Sequence, residues 1–158
     1  MPNETLQRIL QQKEIKITDD ISFRTIFDVL SALFTDENNL SILTNGYTIN
    51  NQQQVWLVNL SPPAQLPRDL NKGYANYSSP DRQYLYQFNQ GQDLIKRKKL
   101  GVKHTEKNTQ FVTFAKLNEK KQEIGYKFIG IFNFVGFSDE YCQTMIYKKI
   151  ADNYHLPI

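Results

Sequence analysis

The stretch Tyr126–Phe137, YKFIGIFNFVGF, constrains the fold more than any other part of this chain. Its β-branched and aromatic residues predict a strand. Side chains alternate along a strand, so a surface strand shows one polar face. Here both faces are apolar: Tyr126, Phe128, Phe132 and Phe134 on one, Ile129, Ile131, Val135 and Phe137 on the other. Such a strand belongs at the centre of a small curved sheet or barrel, one face turned inward and the other covered by helices. Gly130 and Gly136 permit strong bending or a close helix approach. A sharper reading is that they open a cavity between aromatic rings.

The rest of the chain supplies those helices and further strands. Residues 3–13 read as a short helix, with Asn3 as cap, Glu4 near its positive end, and a stripe of Leu6, Ile9 and Leu10. A second helix fits 20–34, capped by Asp19 or Asp20, with Phe23, Ile26, Phe27, Leu30, Leu33 and Phe34 at helical spacing. From Gly46 the period changes to two. GYTIN and QVWLVNL flank Asn50-Asn51, a hairpin turn. Residues 61–83 hold four of the six prolines and read as a long irregular loop, a place where function often sits. YLYQF is a short strand, and TQFVTFAKL is another, with Phe111, Thr113 and Ala115 alternating against Val112, Phe114 and Lys116. NEKKQEIG is a polar turn. The end of the chain predicts a strand over 143–148 followed by a short helical turn. The expected class is therefore α+β: one domain over 1–158, helical over 1–40 and β-rich over 46–150.

Composition excludes several functions. Cys142 is the only cysteine, so no intramolecular disulfide or thiolate zinc cluster can form. His104 and His155 are too few for a metal site of their own. We expect no metal and no cofactor. No run of 18 apolar residues offers a membrane span, and MPNETLQRIL lacks the order of a signal peptide, so a soluble cytoplasmic protein is expected. A net charge of +3 permits an anionic partner without demanding one.

Three constellations carry chemistry. The first is a basic run: Lys96, Arg97, Lys98, Lys99, Lys103, His104 and Lys107, with Glu106 the one acid among them. Clustered cations release counterions from a phosphate backbone; the plainer reading is a solvated loop or an edge kept unsticky by lysine. The second is aromatic: Tyr74, Tyr77, Tyr84, Tyr86 and Phe88, interleaved with Asn76, Ser78, Ser79, Asp81 and Arg82. Rings in a loop either tuck beneath it or await a planar ligand such as a nucleobase. The third is Trp56, a core residue or a pocket wall shared with Asn59. Catalysis has little support. Glu119 and Lys121 have the spacing of a metal-dependent nuclease motif but lie in a polar turn. A Cys142–His155 dyad carries no specific signature.

The order of these signals resembles a known family. Val58-Asn59, Phe111-Val112, and Tyr126 with Gly130 are similar to motifs in the C-terminal domain of modification-dependent restriction proteins that join a phospholipase-D-type nuclease to a helicase. More distantly they are similar to PUA-like readers, including the SET-and-RING-associated (SRA) domains. The likeness spans roughly 46–150. It departs at YQFNQGQ, where Phe88 stands near the place of a family Trp. The resemblance implies a PUA-like curved sheet that grips double-stranded DNA and flips a modified base into an aromatic pocket, as the targeting part of a restriction or defence system. Lys96, Arg97, Lys98, Lys99, Lys103 and His104 would bind phosphate. Trp56, Asn59, Tyr74, Asn76, Tyr77, Asp81, Tyr86 and Phe88 would form the base pocket. The chain would not be an enzyme; a fused or separate nuclease or helicase would act. Two rival readings stand beside it: a protein-binding module, such as a phage or bacterial inhibitor or adaptor, and a small metal-dependent nuclease built on Glu119 and Lys121.

Overall fold

A computed structural model describes residues 3–44, 46–91, 93–117, 125–138, 140 and 143–157. The two-faced segment forms β6 (Tyr126–Phe137), and it is central as expected. It is flanked by β5 (Gln110–Leu117) and β7 (Thr144–Ala151), both antiparallel to it. Beyond β5 lies β2 (Gln53–Leu60), parallel to it. Beyond β7 lies the antiparallel pair of β4 (Tyr84–Asn89) and β3 (Tyr74–Ser78). The order is thus β2-β5-β6-β7-β4-β3. The sheet curves until the end of β2 meets β3, where Ser61 N donates to Asn76 O at 2.8 Å. That single bond does not make a ladder, so the sheet stays open rather than closing into a barrel.

The strand glycines shift the phase of β6 rather than simply thinning one face. Thr113 pairs with Gly130 but Phe114 pairs with Phe128, leaving Ile129 as the extra residue of a bulge. Phe128 and Ile131 therefore join one core, and Ile129 and Phe132 the other. A strict alternation over the whole strand would have grouped Phe128 with Phe132 and Ile129 with Ile131. Gly130 has φ +130°, and a Cβ there would lie 2.8 Å from Ala151 O, so only glycine suits the position.

The first core is sealed by the N-terminal segment. It holds α1 (Asn3–Gln12), β1 (Glu14–Lys16), α2 (Ile26–Leu33) and, from the other end of the chain, β8 (Asn153–His155) paired with β1. Phe23 and Phe34 meet Phe114 edge to face at 6.3 and 6.2 Å, and Phe34 lies 6.2 Å from Tyr154. Aromatic pairs of this geometry add to the burial term.

Several local expectations need correction. The second helix is shorter than 20–34: Thr25 caps it by accepting from Asp28 N at 3.1 Å, while Phe23 leaves the helix to bridge Tyr126. Asp19 does not cap it but pairs with Arg8. Phe27, read as part of the stripe, is 74% exposed. The Asn50-Asn51 turn forms through the Asn50 side chain, whose Oδ1 accepts from Gln52 N and Gln53 N, and not through positive φ. Residues 61–83 are not a long loop; they contain α3 (Leu66–Asn71) and the strand β3. The basic run is a helix, α4 (Leu94–Lys107). The end of the chain carries β8 where a helical turn was expected. The turn with Glu119 and Lys121, and Cys142, lie outside the described residues.

Candidate functional site

Helix α4 begins where Asp93 Oδ1 accepts from Ile95 N at 2.8 Å and Lys96 N at 3.2 Å. It ends at Asn108, which adopts φ 48° and ψ 51°. Its buried residues are Arg97, Gly101 and His104, spaced along one face. Lys96, Lys103 and Lys107 recur at i, i+7 and i+11 and form an adjoining exposed stripe, with Lys99 close to it. Lys98 is exposed off that stripe.

The fit of α4 on the sheet depends on Gly101. A Cβ there would stand 3.0 Å from ring atoms of both Phe134 and Phe137. The close approach predicted from the strand glycines is thus made by a helix glycine. Arg97 is 1% exposed and donates to Gln87 O at 3.0 Å and Gln143 O at 3.4 Å. A guanidinium buried among carbonyls ties the helix to β4 and the start of β7. This takes Arg97 off the phosphate-facing surface expected for it.

Under α4 lies the second face of the sheet, and here the curvature matters. In a flat sheet β2 and β7 would stand about 14 Å apart, three strand spacings. Yet Trp56 on β2 meets Tyr147 on β7 with ring centroids 4.8 Å apart. Phe111 on β5 joins them, 5.9 Å from Trp56 and 5.5 Å from Tyr147. These three rings floor a cavity of about 810 Å³. Gln54 and Gln87 lie beside the rings, and Leu100, Lys103, His104 and Lys107 of α4 form one wall. Thr44 and residues of the segment 46–52 form the opposite wall, held to the sheet by Val55 N donating to Tyr47 O at 2.9 Å and by Gln110 N donating to Gln52 O at 2.7 Å.

The electrostatics divide cleanly. Lys103 and Lys107 bring positive charge to the rim. His104, by contrast, is 8% exposed and stands edge-on to Phe111 at 5.0 Å. Burial, then the charges of Lys103 and Lys107, lower its pKa, so the ring is neutral near pH 7. Buried and neutral, it differs in kind from the exposed lysines with which the sequence pattern grouped it. Burial pushes the Tyr147 phenol strongly upward, against a smaller opposing effect of Arg97. Its hydroxyl donates to Met145 Sδ at 3.7 Å, a weak acceptor.

The structure does not gather the other residues singled out for a base pocket. Of those eight, only Trp56 lines the large cavity. Asn59, Tyr74 and Asn76 line a separate cavity of about 260 Å³ near the β2–β3 seam. Tyr77 lines a third of about 140 Å³ and stacks on Tyr86 with centroids 5.0 Å apart. Asp81 lines a fourth, and its carboxylate accepts from Ser79 Oγ at 2.7 Å and Gln83 N at 3.1 Å, which builds the β3–β4 turn and lowers its pKa. Phe88 is half-buried on β4, paired with Ala75 and Thr144. Sequence reading missed Phe111, Tyr147, Gln54 and Gln87 for the cavity and gave His104 a different role.

Among the described residues no group of three or more His, Cys, Asp or Glu could hold a metal ion. His155 lies on the β1–β8 ribbon, 3.5 Å from Glu14. No helix among them is long and apolar enough to cross a membrane.

Comparison with known proteins agrees with this architecture. The model of the SET and RING associated domain family matches residues 8–156, so α2 and the second half of α1 fall within the match as well as the 46–150 core. Among curated proteins nothing matches the chain. A solved structure described as "The 5-Hydroxymethylcytosine-Specific Restriction Enzyme AbaSI" is similar in fold, with a TM-score of 0.67 at 15% sequence identity. The likeness covers 99% of this chain and 47% of that one, so this chain spans about half its length.

Proposed function

The chain belongs to the SET and RING associated (SRA) domain family, and on that premise we propose that it flips a modified cytosine out of duplex DNA into the aromatic-floored cavity. Domains of this family bind DNA and read modified cytosine without catalysing a reaction, and this chain is such a reader. The observation that carries the proposal is the coincidence of two features. Trp56, Phe111 and Tyr147 floor one cavity, and the wall of that cavity is the most basic helix of the chain. Stacking of a base is worth roughly 1–3 kcal/mol, on the order of what extrusion costs. Gln54 and Gln87 offer amide groups to a base edge. Lys96, Lys98, Lys99, Lys103 and Lys107 supply the phosphate contacts. In this reading Trp56 is the one member of the sequence-derived pocket that meets the base.

The modification we favour is 5-hydroxymethylcytosine, the base named for the structurally similar restriction enzyme. By the same likeness we place the reader in the cytoplasm, as one domain of a restriction or defence system, with cleavage or unwinding supplied by a fused or separate nuclease or helicase. The test is a fluorescence-anisotropy titration with matched duplexes carrying cytosine, 5-methylcytosine, 5-hydroxymethylcytosine or N6-methyladenine at two salt concentrations. Tighter binding of a modified-cytosine duplex that survives the higher salt is expected. Equal weak binding that vanishes with salt would leave only a basic helix on DNA.

A further inference from the structure

We propose that His104 is the residue that reads the substituent on the bound base, by hydrogen-bonding a hydroxyl carried there. This rests on the cavity being the base site. The sequence pattern had given His104 to the phosphate grip, but its position is different in kind from that of the lysines beside it.

Three observations carry the inference. First, the helix delivers the ring to the cavity and not to solvent. Arg97, Gly101 and His104 share the buried face of α4, and Gly101 brings that face within van der Waals contact of Phe134 and Phe137. The imidazole then stands edge-on to the floor ring Phe111 at 5.0 Å and 6.3 Å from Phe134. Phe111 packs against the ring at right angles and restricts its rotation, as a specificity contact requires.

Second, the imidazole nitrogens bond no protein group among the described residues, although the residue is 8% exposed and lines the cavity. Neither nitrogen is among the fully buried side-chain atoms without a partner, so the ring is open to the solvent of the cavity. The remaining partner is whatever occupies the cavity, water in the free protein and a ligand in the complex. The neighbouring Arg97 is different: its guanidinium is engaged with backbone carbonyls and serves the fold.

Third, a neutral imidazole offers one donor and one acceptor. Lysine and arginine can only donate. A hydroxyl both donates and accepts, so it pairs with the ring in either tautomer. A methyl group or a hydrogen at the same place offers nothing, and displaces the water that pairs with the ring without replacing its hydrogen bond. Sites built to hydrogen-bond a hydroxyl reject the analogue that lacks it. His104 is thereby a selector of hydroxyl-bearing bases over methylated or unmodified ones.

The test compares the wild type with His104→Phe and His104→Asn on duplexes carrying cytosine, 5-methylcytosine or 5-hydroxymethylcytosine. We expect His104→Phe to lose about tenfold in affinity for the hydroxymethyl duplex and to bind the other two as before. His104→Asn, which keeps a donor and an acceptor, recovers part of the preference. Nitrogen NMR of the ring gives an independent readout, because only His104 and His155 contribute signals: the His104 ring resonances shift with the hydroxymethyl duplex and not with the methyl one. An equal loss on all three duplexes, or an unchanged preference in His104→Phe, overturns the proposal while leaving the base site intact. Absence of any preference in the wild type overturns the base-site reading itself, and this inference with it.

Discussion

The two faces of the sheet carry the same kinds of residue and do opposite things. On one face Phe23, Phe34, Phe114, Phe128 and Tyr154 form a sealed core, roofed by α1, α2 and the β1–β8 ribbon. On the other, Trp56, Phe111, Phe134 and Tyr147 form a second aromatic cluster whose roof is incomplete. The difference lies in the covering elements. The N-terminal helices bring Ile9, Val29 and Leu33, apolar side chains that fill the space above the rings. Helix α4 brings an arginine, a glycine and a histidine, and the segment opposite it brings amides and hydroxyls. Aromatic rings under aliphatic cover are core, whereas rings beneath a polar, partly open cover are what the proposed base site needs.

The comparison can be broken by deleting one ring from each face. Phe114→Ala should have the largest effect, about 3–5 kcal/mol of stability in a urea denaturation experiment, because it empties a fully buried position between three aromatic neighbours. Trp56→Ala should cost less stability than that, since Trp56 is only half-buried, and should instead weaken a modified duplex by roughly 1–3 kcal/mol in an anisotropy titration. If Trp56→Ala unfolds the protein as Phe114→Ala does, the two faces are the same kind of core. A third change sharpens the division between rim and floor. Replacing Lys96, Lys99, Lys103 and Lys107 by Ala should flatten the slope of log affinity against log salt by about three to four. Its effect on the preference between modified and unmodified duplexes should be the smallest of all, close to none.

How far the sequence reached follows from what each signal depends on. The central strand, β4, β5 and the first helix were legible because each is announced by a local period or propensity. The alternation read in TQFVTFAKL holds in the structure, with Phe111 and Ala115 in one core and Val112 and Phe114 in the other. Helix α4 was not legible, because its buried face is Arg97, Gly101 and His104 and carries no apolar stripe. Helix α3 was hidden by proline, although a proline in the first turn is where helices tolerate it best. The family resemblance found the β-rich core, but the aromatic pattern of the sequence placed most pocket candidates on β3 and β4. The cavity is assembled instead from positions 54, 56, 87, 104, 111 and 147, which only the curvature of the sheet and the crossover between β2 and β5 bring together. Trp56 was found because a lone tryptophan draws notice. Phe111 and Tyr147 sit in ordinary strand alternation and send no signal of their own.

Trp56 also makes the central claim directly measurable. It is the only tryptophan in the chain and stands on the floor of the cavity, 4.8 Å from the Tyr147 ring. Its fluorescence should be followed while a duplex with a single 5-hydroxymethylcytosine is added, with the unmodified duplex as control. Entry of the base predicts a saturable change in Trp56 emission with the modified duplex, at concentrations matching its affinity, and little change with the control. Binding of the modified duplex with no change in Trp56 emission would contradict the account and put the DNA elsewhere on the protein.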